Sequence, residues 1–142
     1  MGNDVKPCTF DGACGIAFLH LDEIAVTDLH NKRVVVCTTQ SELKRTIEMD
    51  GHPRDIVALN DQLVVIDNRR TVKVINRDDT FASESFTPPQ GGPDANLHSV
   101  AVKEDGTIIV GDIDRKMVTE LRPTDSSVVK TIKLRLPHRY LA

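Results

Sequence analysis

Three aspartates recur in this sequence inside one short phrase: Asp28 in "TDLHNKRVVV", Asp67 in "IDNRRTVKVI" and Asp112 in "GDIDRKMVTEL". They stand 39 and 45 residues apart (67 − 28 and 112 − 67). Each is followed by a basic pair: Lys32-Arg33, Arg69-Arg70 and Arg115-Lys116. An aspartate can ligate a metal, serve as an acid or base, or hold a turn by accepting backbone N–H groups. Recurrence once per unit, always between two β-type runs, favours the last, so Asp28, Asp67 and Asp112 are expected to be structural turn residues. The basic pairs carry a different chemistry, because a guanidinium grips phosphate or carboxylate through paired hydrogen bonds. If the units stack in register, Lys32, Arg33, Arg69, Arg70, Arg115 and Lys116 line one rim and form a partner-binding arc. The bland alternative is that they solvate the turns and pair with neighbouring carboxylates.

The histidines offer a second candidate. His98 and His138 occupy the same place in successive units, just before the first β run, where Arg54 and Cys14 stand in the others. Side chains at that place could face one another near a channel mouth, and His and Cys are zinc ligands. A place shared with Arg54 is a poor home for a cation, so solvated loop histidines are expected, with no metal and no cofactor. The sequence has no Gly-rich phosphate loop, nucleophile elbow, His-Glu metalloprotease motif or Cys-x-x-Cys pair. It therefore points away from an enzyme, with no catalytic residue to name.

Composition narrows the partners. A formal net charge of −3 with 27% charged residues is neither a basic nucleic-acid protein nor an acidic tail. Aromatic residues make up 4%, with no Trp, which leaves few platforms on which bases could stack. No apolar run approaches the roughly 20 residues of a membrane span, so no membrane partner is expected. The first residues, "MGNDVKPCTF", carry neither a secretory signal nor the myristoylation pattern, since Lys6 stands where Ser or Thr is required. Cys8, Cys14 and Cys37, odd in number and irregular in spacing, are expected to be reduced, in a cytoplasmic protein.

The elements that must position these residues repeat with them. Upstream of each Asp phrase, which we call a knot, lies a pair of apolar runs broken by a tight turn: "GIAFLHLDEIAV", "DIVALNDQLVVI" and "SVAVKEDGTIIV". Downstream comes a third run, "RVVVCT", "TVKVIN" or "MVTELR", and then a fourth, "LKRTIEM", "TFASESF" or "VVKTIKL". The runs are rich in Val, Ile and Thr and bounded by Asp, Asn and Gly, as strands are. Four antiparallel strands per unit of about 40 residues is the pattern of a β-propeller blade. The reading is one all-β segment over residues 1–142: a partial propeller with blades at about 13–50, 53–88 and 96–135. Residues 137–142, "PHRYLA", match "PRDIVA" of blade two and begin a further blade, and "KPCTF" resembles the last strand of a preceding one. The knot becomes the turn between second and third strands, its Asn or Asp taking the left-handed conformation. "TPPQGGPDANLH" (87–98) is the one long loop, a candidate contact segment.

These units resemble the NHL-repeat propellers found at the C-terminus of TRIM-type ubiquitin ligases. Blade one carries the resemblance best, through Gly15-Ile16-Ala17-Phe18, Ile24-Ala25-Val26-Thr27-Asp28 and Asn31-Lys32-Arg33-Val34-Val35-Val36. Blade two keeps Pro53, Ile56, Val64, Ile66, Asp67, Arg70 and Val72, with a knot one residue shorter. Blade three keeps Val100-Ala101-Val102, Ile109, Asp112, Asp114 and Val118, with Met117 in place of Arg. The resemblance covers residues 7–142 and implies a non-enzymatic recognition scaffold that binds protein, in the substrate-recognition part of a ligase. Some NHL relatives bind single-stranded RNA through such a rim, which is the alternative ligand. Gluconolactonase-like propellers share the pattern and imply, as a third reading, a metal-dependent hydrolase. Family rings close with about six blades. Three blades are therefore expected to pair as a homodimer that completes the ring.

Overall fold

The computed structural model describes residues 11–81, 96–112, 114–122 and 127–134. They form three antiparallel sheets, each a meander in chain order. The first sheet is β1 (Ala13–Phe18), β2 (Glu23–Asp28), β3 (Arg33–Thr38) and β4 (Leu43–Glu48). The second is β5 (Pro53–Leu59), β6 (Gln62–Asp67) and β7 (Thr71–Ile75), extended by a single bridge from Ile75 to Phe81. The third is β8 (Leu97–Val102), β9 (Ile108–Asp112), β10 (Met117–Leu121) and β11 (Val128–Lys133). The expected fourth strand of blade two continues past Phe81 and lies outside the described residues, as do "KPCTF", residues 87–95 of the long loop and "PHRYLA".

The middle sheet shows why the runs read as they do. In β6, Leu63 and Val65 pack towards the first sheet, against Ala17, Val34, Val36 and Ile47. Val64 and Ile66 point the other way, against Val100, Ile108, Val110 and Leu121 of the third sheet. Successive side chains leave a strand on opposite faces. A strand sandwiched between two sheets must then be apolar at every position, which is why "LVVI" has no polar alternation. The first strands β1, β5 and β8 lie side by side, as the inner strands of a propeller do. Their closeness needs Gly15, where a Cβ would stand 2.7 Å from Asp55 Oδ1 and 2.9 Å from its Cα.

Two expectations need correction. The left-handed residue of the knot is Asn68, joined by Arg69, only in blade two; in blades one and three it is Lys32 and Lys116. Loop length decides this. Asp67 pairs with Thr71 across three residues, whereas Asp28 pairs with Arg33 and Asp112 with Met117 across four. A four-residue turn makes its left-handed correction at its last position. Second, the thiols are not all reduced: Cys37 is buried and disulfide-bonded, while Cys14 is free and exposed.

Candidate functional site at the channel mouth

The knots and the starts of the inner strands share one end of the fold, because β1, β5 and β8 begin opposite the Asp that ends β2, β6 and β9. Each knot Asp works there as a staple. Asp28 Oδ1 accepts the Asp11 N–H at 2.7 Å, Asp67 Oδ2 accepts that of Gly51 at 3.3 Å, and Asp112 Oδ2 accepts that of Asn96 at 3.0 Å. The carboxylate thus holds the segment leading into its own blade, 16 or 17 residues upstream, more than its own turn. A bond within the knot itself comes from Asn31 Nδ2 to Asp28 and from the Arg115 N–H to Asp112.

Each staple also draws a cation, from a different place in each blade. Arg33 Nε binds Asp28 Oδ2 at 2.9 Å, Lys73 Nζ binds Asp67 Oδ2 at 2.9 Å, and Arg115 Nε lies 3.9 Å from Asp112 Oδ2. Burial works against ionisation of Asp28, but hydrogen bonds from Asn31, the Asp11 N–H and Arg33 outweigh it and hold the carboxyl below its ordinary range.

Of the six rim cations, Arg33 and Arg115 therefore face inward onto aspartates, and Lys116 is half-buried. Lys32, Arg69 and Arg70 are exposed, and none of the ion pairs among the described residues includes them. Two of the six thus have a staple carboxylate as partner.

Inside the rim, every inner strand carries a β-bulge. Register slips by one residue between Ala13 and Ile16, between Pro53 and Asp55, and between Leu97 and Ser99. Bulges re-aim side chains next to functional sites. The extra positions include Cys14, Arg54 and His98, the equivalent residues of the sequence repeat. They line one open cleft of about 420 Å³ together with Leu29, Asp55 and Ser99. Across it, Arg54 Nη1 meets His98 Nε2 at 3.3 Å, and His98 Nδ1 lies 3.2 Å from the Asn96 carbonyl oxygen. Burial and then the Arg54 charge push the His98 pKa down, against Asp114 and Asp112, with a further push from Arg69. Burial and the neighbouring Arg69 likewise lower that of Arg54. His138 lies outside the described residues, and His52 is exposed, with Nδ1 2.8 Å from the Leu29 carbonyl.

Two residues of the site went unnoticed in the sequence. Asp55 accepts the N–H of Ile56 at 2.9 Å on Oδ1 and that of Val100 at 2.9 Å on Oδ2, tying β5 to β8. Thr27 Oγ1 accepts the Gly15 N–H at 2.8 Å and donates to the Arg54 carbonyl at 3.3 Å, tying the first sheet to β5. Both lie at the bulges, and only the repeat alignment of positions 15, 55 and 99 could have drawn attention to one of them.

No family model matches the sequence, and no curated protein matches it either. Solved structures do match the fold. A catalytically inactive virginiamycin B lyase from Staphylococcus aureus, with quinupristin, superimposes at a TM-score of 0.74 with 17% identity, over 89% of this chain and 42% of that one. Glutaminyl cyclase from Myxococcus xanthus gives a TM-score of 0.65 at 17% identity, over 85% of this chain and 52% of that one. BamB from Moraxella catarrhalis gives 0.66 at 11% identity, over 87% and 37%. These are β-propeller proteins, and the chain spans about half their length or less. The architecture is thus a partial β-propeller of three antiparallel sheets.

Proposed function

We propose that this chain is a non-enzymatic recognition module of NHL type, whose channel-mouth face takes an acidic segment of a partner protein. The observation that carries this reading is the division among the rim cations. Arg33 and Arg115 serve the staples, while Lys32, Arg69 and Arg70 stand exposed at the same end with no carboxylate partner among the described residues. Binding is favoured over catalysis because the groups that could act as bases in the cleft are engaged: Asp55 by two backbone N–H groups, and both nitrogens of His98 by Asn96 and Arg54. This weighs equally against a gluconolactonase-like hydrolase, which needs free inward carboxylates. In the ligase setting that the NHL resemblance implies, the acidic segment belongs to the substrate.

Single-stranded RNA competes for the same cations. The scarcity of stacking platforms disfavours it: of the two described aromatics, Phe18 pairs at Ile24, the opposite end of its sheet from the knot, and the Phe81 ring lies against the Lys73 ammonium. Self-association belongs to the same reading. Ile16 and Phe18 are each 65% exposed on β1, and apolar area of this kind is what a second copy would cover in closing the ring.

Fluorescence anisotropy with a labelled oligoglutamate peptide and a labelled oligouridylate tests the ligand class. The peptide should bind with an affinity that falls as salt rises, and the double variant Arg69→Glu, Arg70→Glu should bind far more weakly at an unchanged unfolding midpoint. Binding of oligouridylate alone would replace the reading with the RNA one.

A further inference from the structure

The geometry points to a carboxylate-binding subsite at the Arg54–His98 pair, which anchors one acidic side chain or small carboxylate inside the cleft. It deepens the recognition reading but rests on different residues from the exposed rim.

The argument begins with hydrogens. The Asn96 carbonyl can only accept, so His98 Nδ1 must carry the proton that bridges the 3.2 Å between them. In the neutral imidazole, Nε2 is then the acceptor, and the contact at 3.3 Å is a hydrogen bond donated by Arg54 Nη1. Arg54 is therefore held in place by an uncharged partner. A carboxylate in that role would fix the guanidinium and cancel its charge, whereas the imidazole fixes it and leaves the charge whole. Four of the five N–H donors remain for a ligand.

No ion pair among the described residues includes Arg54, because the surrounding carboxylates bond elsewhere. Asp55 is engaged by the N–H groups of Ile56 and Val100, Asp112 by those of Asn96 and Arg115, and Asp114 by the Asn96 side-chain amide. The exposed Arg69 adds a second positive charge near Arg54, and burial makes Arg54 more costly to leave without an anion. The bulge in β5 brings the Arg54 head to the cleft instead of letting it extend into solvent. A cleft of about 420 Å³ is large enough for an acidic side chain with part of its backbone, with Leu29 as an apolar wall and Ser99 as a polar one.

Carboxylate is the better fit than phosphate. A planar monoanion matches the fork of a single guanidinium. Asp55, Asp112 and Asp114 nearby oppose a second negative charge on the bound group itself, whereas a dicarboxylate carries its second charge on a distant carboxylate.

The test is an NMR titration of the full chain with sodium glutarate, following the His98 ring and Arg54 Nε resonances, with sodium chloride at matched ionic strength as reference. Saturable shifts that chloride does not reproduce are expected, and Arg54→Gln should abolish them. Arg54→Lys, which keeps the charge but loses the fork, should weaken binding severalfold, and it serves if Arg54→Gln does not fold. Oligoglutamate that still binds Arg54→Gln when glutarate no longer does would support the subsite as separate from the rim. A merely linear, chloride-like response of the parent would overturn it, even with oligoglutamate binding intact. So would saturable glutarate binding by Arg54→Gln, or inorganic phosphate saturating the site more tightly than glutarate.

Discussion

Lys73 Nζ lies 2.9 Å from Asp67 Oδ2, with both side chains sealed inside the middle sheet. The ammonium also reaches Asp50 at 2.8 Å and sits 5.4 Å from the centre of the Phe81 ring. Blade one has Val35 at the equivalent of Lys73 and puts its cation at Arg33 instead, while blade two has Thr71 at the equivalent of Arg33. The staple is the invariant element, and the cation reaches it from whichever neighbouring position is available. Lys73→Met should cost about 3 kcal/mol, because Asp67 is left charged, buried and with one oxygen unpartnered. The double variant Asp67→Asn, Lys73→Met should recover much of that loss. Denaturant unfolding of the parent, both singles and the double measures the coupling. Strictly additive losses would remove the pair's role.

Two acid transitions are expected. The folded Asp28 carboxyl titrates below its ordinary value, so its contribution is present above about pH 4 and is lost as pH falls through the folded pKa. The folded His98 also titrates below its ordinary value, but here it is the neutral form that the fold favours. Stability should therefore decline as pH falls from about 6.5 through the folded His98 pKa. Unfolding midpoints against pH should show the first loss missing in Asp28→Asn and the second missing in His98→Gln. Parallel curves for parent and variants would contradict both assignments.

The strands and the knots were legible because they are local. Val, Ile and Thr runs, tight turns and a recurring Asp need only their own blade, and three copies made the pattern visible. What escaped depends on relations between strands. A bulge is a register slip between partners, so nothing in "PRDIVA" by itself shows that Arg54 is the extra residue. Ile16 sits in an apolar run and reads as core, yet it is 65% exposed because no described sheet covers that face of β1. The rim cations were legible as pairs, but their division between staple and solvent was not, since Arg33 and Lys32 differ only in which side of the turn they leave. The contact of Arg54 with His98 joins residues 44 apart and needs the packing of two blades.

The disulfide at Cys37 bears on the compartment. Such bonds are rare in a reducing cytoplasm, so the state of Cys37 in the cell bears on the expected cytoplasmic location. Alkylation of denatured, unreduced protein taken from its native source should label Cys14 and leave Cys37 unlabelled until reductant is added, by peptide mass mapping. Labelling of Cys37 without reductant would contradict the disulfide and favour the reduced, cytoplasmic expectation.

Assembly follows from exposed apolar area on β1. Sedimentation equilibrium should show a reversible dimer, and Phe18→Glu should yield a folded monomer, because a charge there opposes burial against a second copy. A parent that stays a well-folded monomer at high micromolar concentration would rule out ring closure by two copies.

The direct test of the central claim asks which end of the fold receives the acidic ligand. Amide hydrogen exchange of the full chain, with and without an oligoglutamate peptide, reports both ends in one experiment. Protection should rise in the knots, residues 29–32 and 68–70, and around Arg54 and His98. Protection confined to the opposite turns, at residues 20–22, 60–61 and 103–106, would contradict the account.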